Sequence, residues 1–222
     1  MTALGFILFI LIIFDLKETN FHRSKSMLSQ IRSYPLLLSS MKFWPPTLVS
    51  AFSFSIFGIF FVGAPFVAAK VYGLSPSQIG MLLALMPLGF VPGNIIVGKL
   101  VNIFSPRLLL IFGSILLIIG PCLSFFTTNL YTHHLAFFGP MIIMAFGTGI
   151  IWPLANTAII QAVPGLAGSA SGISSALMVT TSAISSGVLG WNIENSDPIL
   201  ALVTMLILVG VATIASSLLI KN

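Results

Sequence analysis

Residues 147–176 contain Gly147-Thr-Gly149-Ile-Ile-Trp152-Pro153-Leu-Ala-Asn156, then Gln161-Ala-Val-Pro164-Gly165, then Gly168-Ser-Ala-Ser-Gly172-Ile-Ser-Ser-Ala176. The pattern predicts two apolar helices on either side of a break at Pro164-Gly165. The first carries a proline and an asparagine inside an apolar run. The second opens with small residues at 168, 172 and 176, a spacing of four that stacks them on one helical face. In lipid, helices gain no hydrophobic advantage by associating, so close packing across small residues has to hold them together. A bundle of membrane helices is the fold this stretch points to.

Composition agrees with that class. The chain has 222 residues, 57% hydrophobic and 6% charged, whereas soluble domains carry about 25% charged residues. A soluble enzyme or a nucleic-acid-binding module is not built from such a chain. The single cysteine, Cys122, excludes an internal disulfide and reads as a small apolar residue beside Pro121. The pattern implies no cofactor and no metal.

Working outward from the central stretch, six apolar segments approach spanning length. They cover roughly Pro46–Ala69, Ile79–Gly98, Leu108–Thr127, Leu135–Ala158, Gly168–Trp191 and Ile199–Ile220. Backbone groups cannot stay unpaired in hydrocarbon, so runs of this length are helices rather than barrel strands. Ahead of them, Thr2 to Phe14 is apolar but short for a span of about 20 residues. It lacks the preceding charge and the small-x-small site of a signal peptide. A remnant membrane helix is expected over residues 1–14, a cytoplasmic linker over 15–45 and a six-helix transmembrane bundle over 46–222.

The linker gathers Asp15, Lys17, Glu18, Arg23, Lys25, Arg32 and Lys42. These basic residues are too scattered for a nucleic-acid patch, and a membrane-surface segment is the simpler reading. With the linker cytoplasmic, alternating spans put Lys17, Arg23, Lys25, Arg32, Lys42, Lys99, Arg107 and Lys221 inside. Only Lys70 of the 9 Lys and Arg falls outside, with Glu194 and Asp197. That is the positive-inside asymmetry, and it places the C-terminus in the cytoplasm.

No Asp, Glu, Lys or Arg lies near the middle of a full span, so the usual intramembrane proton carrier is missing. Asn94, beside Pro92 and Gly93, is expected to bond carbonyls freed by a helix kink. Trp152 and Asn156 share a helical face, and both pocket lining and plain packing remain open for them. His133 and His134, in an outer turn with Asn129 and Tyr131, are accounted for by interfacial solvation without a metal. Glycines concentrate in the second full span (Gly80, Gly89, Gly93, Gly98) and the fifth (Gly168, Gly172, Gly187, Gly190). Those two spans are expected to press against protein, with Gly89, Gly93, Gly168 and Gly172 as packing positions. The sixth, aliphatic with one glycine, is expected to face lipid. The first is rich in aromatics, Phe52, Phe54, Phe57, Phe60, Phe61 and Phe66, which suit lipid, packing or an apolar cavity.

Several runs carry a family resemblance: Phe60-Phe-Val-Gly-Ala-Pro65-Phe66-Val; Tyr72-Gly73-Leu-Ser-Pro76-Ser-Gln-Ile-Gly80; and Gly98-Lys-Leu with Ser105-Pro-Arg107-Leu-Leu-Leu-Ile-Phe-Gly113. They resemble helices seven to nine of a major facilitator superfamily transporter, in particular the bicyclomycin/chloramphenicol-resistance (Bcr/CflA) branch of drug:proton antiporters. Gly147-x-Gly149-x-x-x-Pro153-x-Ala155 and Ala167-Gly-Ser-Ala-Ser-Gly172 are similar to helices ten and eleven. Asp15-Leu-Lys-Glu18-Thr19 is similar to the segment leaving helix six. The turn between helices eight and nine departs from the family, with Asn102 where an acid or arginine is commoner.

The resemblance implies an all-α polytopic membrane protein. It has six full transmembrane helices plus a short N-terminal one, equivalent to the second half of a major facilitator bundle. It further implies alternating access between two six-helix halves, each built from inverted three-helix repeats. The runs Gly73 to Gly80 and Gly165 to Gly172 are a faint trace of such a repeat. Helices seven and ten would then line a cavity, and Phe57, Trp152 and Asn156 become the candidate contacts for a small hydrophobic substrate. Multidrug efflux in a bacterial inner membrane is the implied role, and a chain of six spans is expected to be inactive alone. Its expected partners are the lipid bilayer and either a six-helix N-terminal half or a second copy. A partner-dependent subunit and a fragment of a disrupted transporter remain the alternatives. An intramembrane serine protease built on Ser171 lacks its base, because no histidine follows it. A channel lacks charged pore-lining residues.

Overall fold

The computed structural model describes residue 9 and residues 34–163 and 165–220. The chain divides into two units, Met1–Tyr34 and Pro35–Asn222. The short helix expected over 1–14 and most of the linker expected over 15–45 lie outside the described residues. The second unit is all helix among the described residues: α1 Trp44–Lys70, α2 Pro76–Leu83, α3 Leu85–Leu100, α4 Pro106–Leu130, α5 His134–Phe138, α6 Met141–Gln161, α7 Ala167–Asn195 and α8 Pro198–Leu218. They make six membrane spans, α2–α3 and α5–α6 each counting as one.

The turn chemistry explains where the helices begin. Ser75 and Gln78 form a reciprocal capping box ahead of α2, Ser105 accepts from the Leu108 amide at α4, and Asp197 accepts from the Leu200 amide at α8. Prolines at the first positions of these helices waste no donor. The second span is stepped at Ala84, where a single helix was expected. Pro87 has no N–H for the Leu83 carbonyl and its ring crowds that oxygen, so the ladder stops at Leu83. The Ala84 amide turns to Met81 O at 3.2 Å instead. Gly139-Pro140 divides the fourth span in the same region of sequence that closes α5.

Packing centres on α6, which touches α1, α3 and α4, while α1 packs on α7 and α8, and α4 on α8. Exchanging the first three spans with the last three leaves this pattern of neighbours unchanged. The turns before α2 and α7 match as well. Gly73 (φ 63°) and Gly165 (φ 81°) both adopt the left-handed conformation that other residues resist. The repeat that the two glycine runs only hinted at is plain in the packing.

Close helix approaches are made by glycine. A Cβ on Gly89 would overlap the Ile142 carbonyl oxygen, one on Gly93 that of Phe146, and one on Gly149 that of Phe90, so α3 and α6 meet backbone to backbone. A Cβ on Gly147 would come 2.6 Å from Gly113 O, across α4 and α6. Hydroxyls buried in the spans mostly bond back to their own helix, as Ser114 does to Leu110 O (2.7 Å) and Thr148 to Met144 O (3.1 Å).

Gly168 and Gly172 look onto open space within this bundle, with nothing within 4 Å of an added Cβ, so any protein pressed against them lies outside these six spans. One expectation changes: the sixth span does not simply face lipid. Within its apolar window 44% is buried, against 22% for the second and the fifth. Leu202 and Leu206 are fully buried, and Gly210 sits against Ile118 of α4. The end of the expected linker also packs: Leu37 and Phe43 are buried with Ile159 and Ala170, and Trp44 Nε1 donates to Leu38 O at 2.7 Å.

Candidate functional site: an aromatic cavity

Four spans line an open cavity of about 480 Å³. From α1 come Phe54, Phe57, Gly58 and Phe61; the spacing of three and four puts the rings on one face. From α3 come Met86, Pro87 and Phe90, from α6 Trp152, and from α7 Ser182. The glycine seam between α3 and α6 is what lets Phe90 reach Trp152. On the other side, Gly58 leaves room for the Ser182 hydroxyl, where a side chain would collide with it.

The rings form a connected set. Trp152 stacks on Phe54 (centroids 6.0 Å, planes 18° apart) and meets Phe90 edge-on (5.5 Å, 67°). Phe57 contacts Phe90 edge-on at 5.6 Å and stacks on Phe61 at 6.2 Å. Phe61 and Pro87 are exposed at the rim. Among the described residues no charged side chain lines the cavity, and none pairs with the buried Trp152 indole nitrogen. Pro153, next in the chain, has no N–H to offer the Gly149 carbonyl one turn back.

Of the residues singled out in the sequence, the structure brings Phe57 and Trp152 together across Phe90. Asn156 is not with them. It is exposed and outside the lining, since four residues overshoot a full helical turn by about 40°. Phe90, Pro87, Met86 and Ser182 were not singled out as site residues. Phe90 had a signal in its place between Gly89 and Gly93, where a close helix crossing carries its ring to the neighbouring span. Asn94 makes no side-chain hydrogen bond to a kinked-helix carbonyl among the described residues. The rings of His133 and His134 lie 4.1 Å apart, and His133 Nδ1 accepts from the Leu135 amide at 3.2 Å, a capping role. Among the described residues no three His, Cys, Asp or Glu converge as a metal site.

Such a wall offers ring faces and apolar area. It holds apolar or aromatic molecules by area and ring contact. A family model described as Major Facilitator Superfamily matches residues 1–186. No curated protein matches the chain.

Proposed function

The chain belongs to the major facilitator superfamily of transmembrane transporters, and from that premise we propose that its aromatic cavity is one wall of an efflux pathway for small hydrophobic molecules. The observation that carries this is the cavity itself: five rings, no charge, and a rim open at Phe61 and Pro87. Among the described residues no acid lies near the middle of a span: Glu194 is in the last turn of α7 and Asp197 caps α8. The proton coupling of a drug:proton antiporter of the bicyclomycin/chloramphenicol type would therefore use a carboxylate on a second six-helix body. The open faces of α2–α3 and α7 favour the same arrangement, because a half-cavity cannot occlude a solute alone. The second body is an N-terminal half, with a second copy of this chain as the other reading. The chain is an integral membrane protein; the distribution of Lys and Arg supports a cytoplasmic C-terminus, and the resemblance to the bicyclomycin/chloramphenicol branch supports a bacterial inner membrane.

The test is to express residues 1–222 in a drug-sensitive host and follow efflux of a hydrophobic dye with and without a proton gradient. No gradient-dependent efflux is expected from this chain alone, and recovery is expected on co-expression of the first six helices of a drug:proton antiporter. Gradient-dependent efflux by the chain alone would overturn the half-site reading.

A further inference from the structure

Three indole N–H groups occur in this chain, and their environments differ. Trp44 donates to Leu38 O at 2.7 Å, and the Trp191 ring is 73% exposed. Trp152 alone has its nitrogen closed off from solvent and unpaired, within a wall that is otherwise almost entirely carbon. A buried donor without a partner is a standing cost, and a site that contains one rewards any molecule bringing the missing acceptor.

We infer that the cavity selects uncharged, flat aromatic molecules that carry a hydrogen-bond acceptor such as a carbonyl oxygen, and that the Trp152 indole N–H reads that acceptor. This rests on the cavity being the substrate site proposed above. The charge state follows from the lining. An anion finds no cation there, and a cation finds no carboxylate to offset its lost hydration. Ring faces attract cations, but one face of Trp152 is taken by Phe54. The acceptor reaches the nitrogen when the rings around it part. The Phe54 stack, at 6.0 Å between centroids, is looser than the Phe90 contact at 5.5 Å, and is the pair a flat ligand separates. Trp152 is thus a specificity residue, distinct from the phenylalanines that supply area.

The probes are 2-acetylnaphthalene and 2-ethylnaphthalene, close in shape and differing in one carbonyl oxygen. Binding to the full chain in nanodiscs is measured against protein-free nanodiscs to remove partition into lipid. The ketone should bind about tenfold tighter than the hydrocarbon, the worth of one satisfied hydrogen bond. Trp152→Phe should weaken both probes through lost ring area but abolish the preference between them, the two then binding within about twofold of each other; binding above that of protein-free nanodiscs reports that the variant is folded. A preference that survives Trp152→Phe, or its absence in the wild type, overturns the role of the indole while leaving the cavity as a binding site. Tighter binding of 2-naphthylmethylammonium than of the ketone overturns the assignment to uncharged ligands. Failure of both neutral probes to bind sinks the cavity reading, and this inference with it.

Discussion

Gly93 lies so close to the main-chain carbonyl of Phe146 that a single methyl group at position 93 would overlap the oxygen. The obstacle is backbone, so no rotamer change relieves it. Gly93→Ala should therefore destabilise the bundle by about 1–3 kcal/mol, the usual range for overpacking. Gly98→Ala, five residues on, meets nothing within 4 Å. It should be neutral or stabilising by up to about 1 kcal/mol through helix propensity. Unfolding of the two variants in detergent titration checks the contrast, and equal stability would refute the α3–α6 backbone contact.

The stripe on α7 gives the opposite expectation. Gly168→Leu and Gly172→Leu should leave the folded fraction of this chain unchanged, since both positions are open. The same variants should weaken association with any second six-helix body that covers the face. The readout is monomer yield by size-exclusion chromatography, compared with co-purification of the partner half. A loss of folded monomer would mean that α7 packs differently.

Leu206 and Leu208 look alike in the sequence but not in the bundle. Leu206 is fully buried and Leu208 is 57% exposed. Leu206→Phe should cost about 1–3 kcal/mol by overpacking, while Leu208→Phe should be tolerated in lipid. Thermal unfolding in nanodiscs separates them, and matching midpoints would count against the burial of α8 between α1 and α4.

Topology can be read by cysteine labelling in a Cys122→Ala background, because Cys122 is the only native thiol. Membrane-impermeant reagent added outside should label a cysteine at His133 or Asn195, both exposed, the one in the turn before α5 and the other at the end of α7. It should miss one at Gln161 or Asn102 until the membrane is opened. The reverse pattern would invert the orientation proposed from the lysines and arginines.

Much of the fold was legible because the bilayer imposes simple rules. The six spans were found within a few residues of their ends, since apolar length and turn residues are local properties. The step at Ala84 escaped notice, although Pro87 was its cause. A proline inside an apolar run reads equally as a bend, a break or an accommodated residue until the packing decides. The cavity lining was legible only in part. The family resemblance put helices seven and ten beside a cavity, and Phe57 and Trp152 on them do line the one found, whereas Asn156 lies outside its lining. Ser182 had no local mark and Phe90 only its place between Gly89 and Gly93, because what brings them to the wall is the approach of another helix.

The sequence by itself determined a membrane bundle of six helices, its turns and the direction of its charge asymmetry, all properties read within a span or from one loop to the next. Only the tertiary structure decided which glycines are covered, that the sixth span is packed through Leu206, and that four separate spans meet around one apolar cavity. Lipid and protein interior are equally apolar, so hydrophobicity cannot say which face of a helix meets which. That information exists only in the complementary shapes of helices brought together, such as the gap left by Gly93 and the Phe146 carbonyl that fills it.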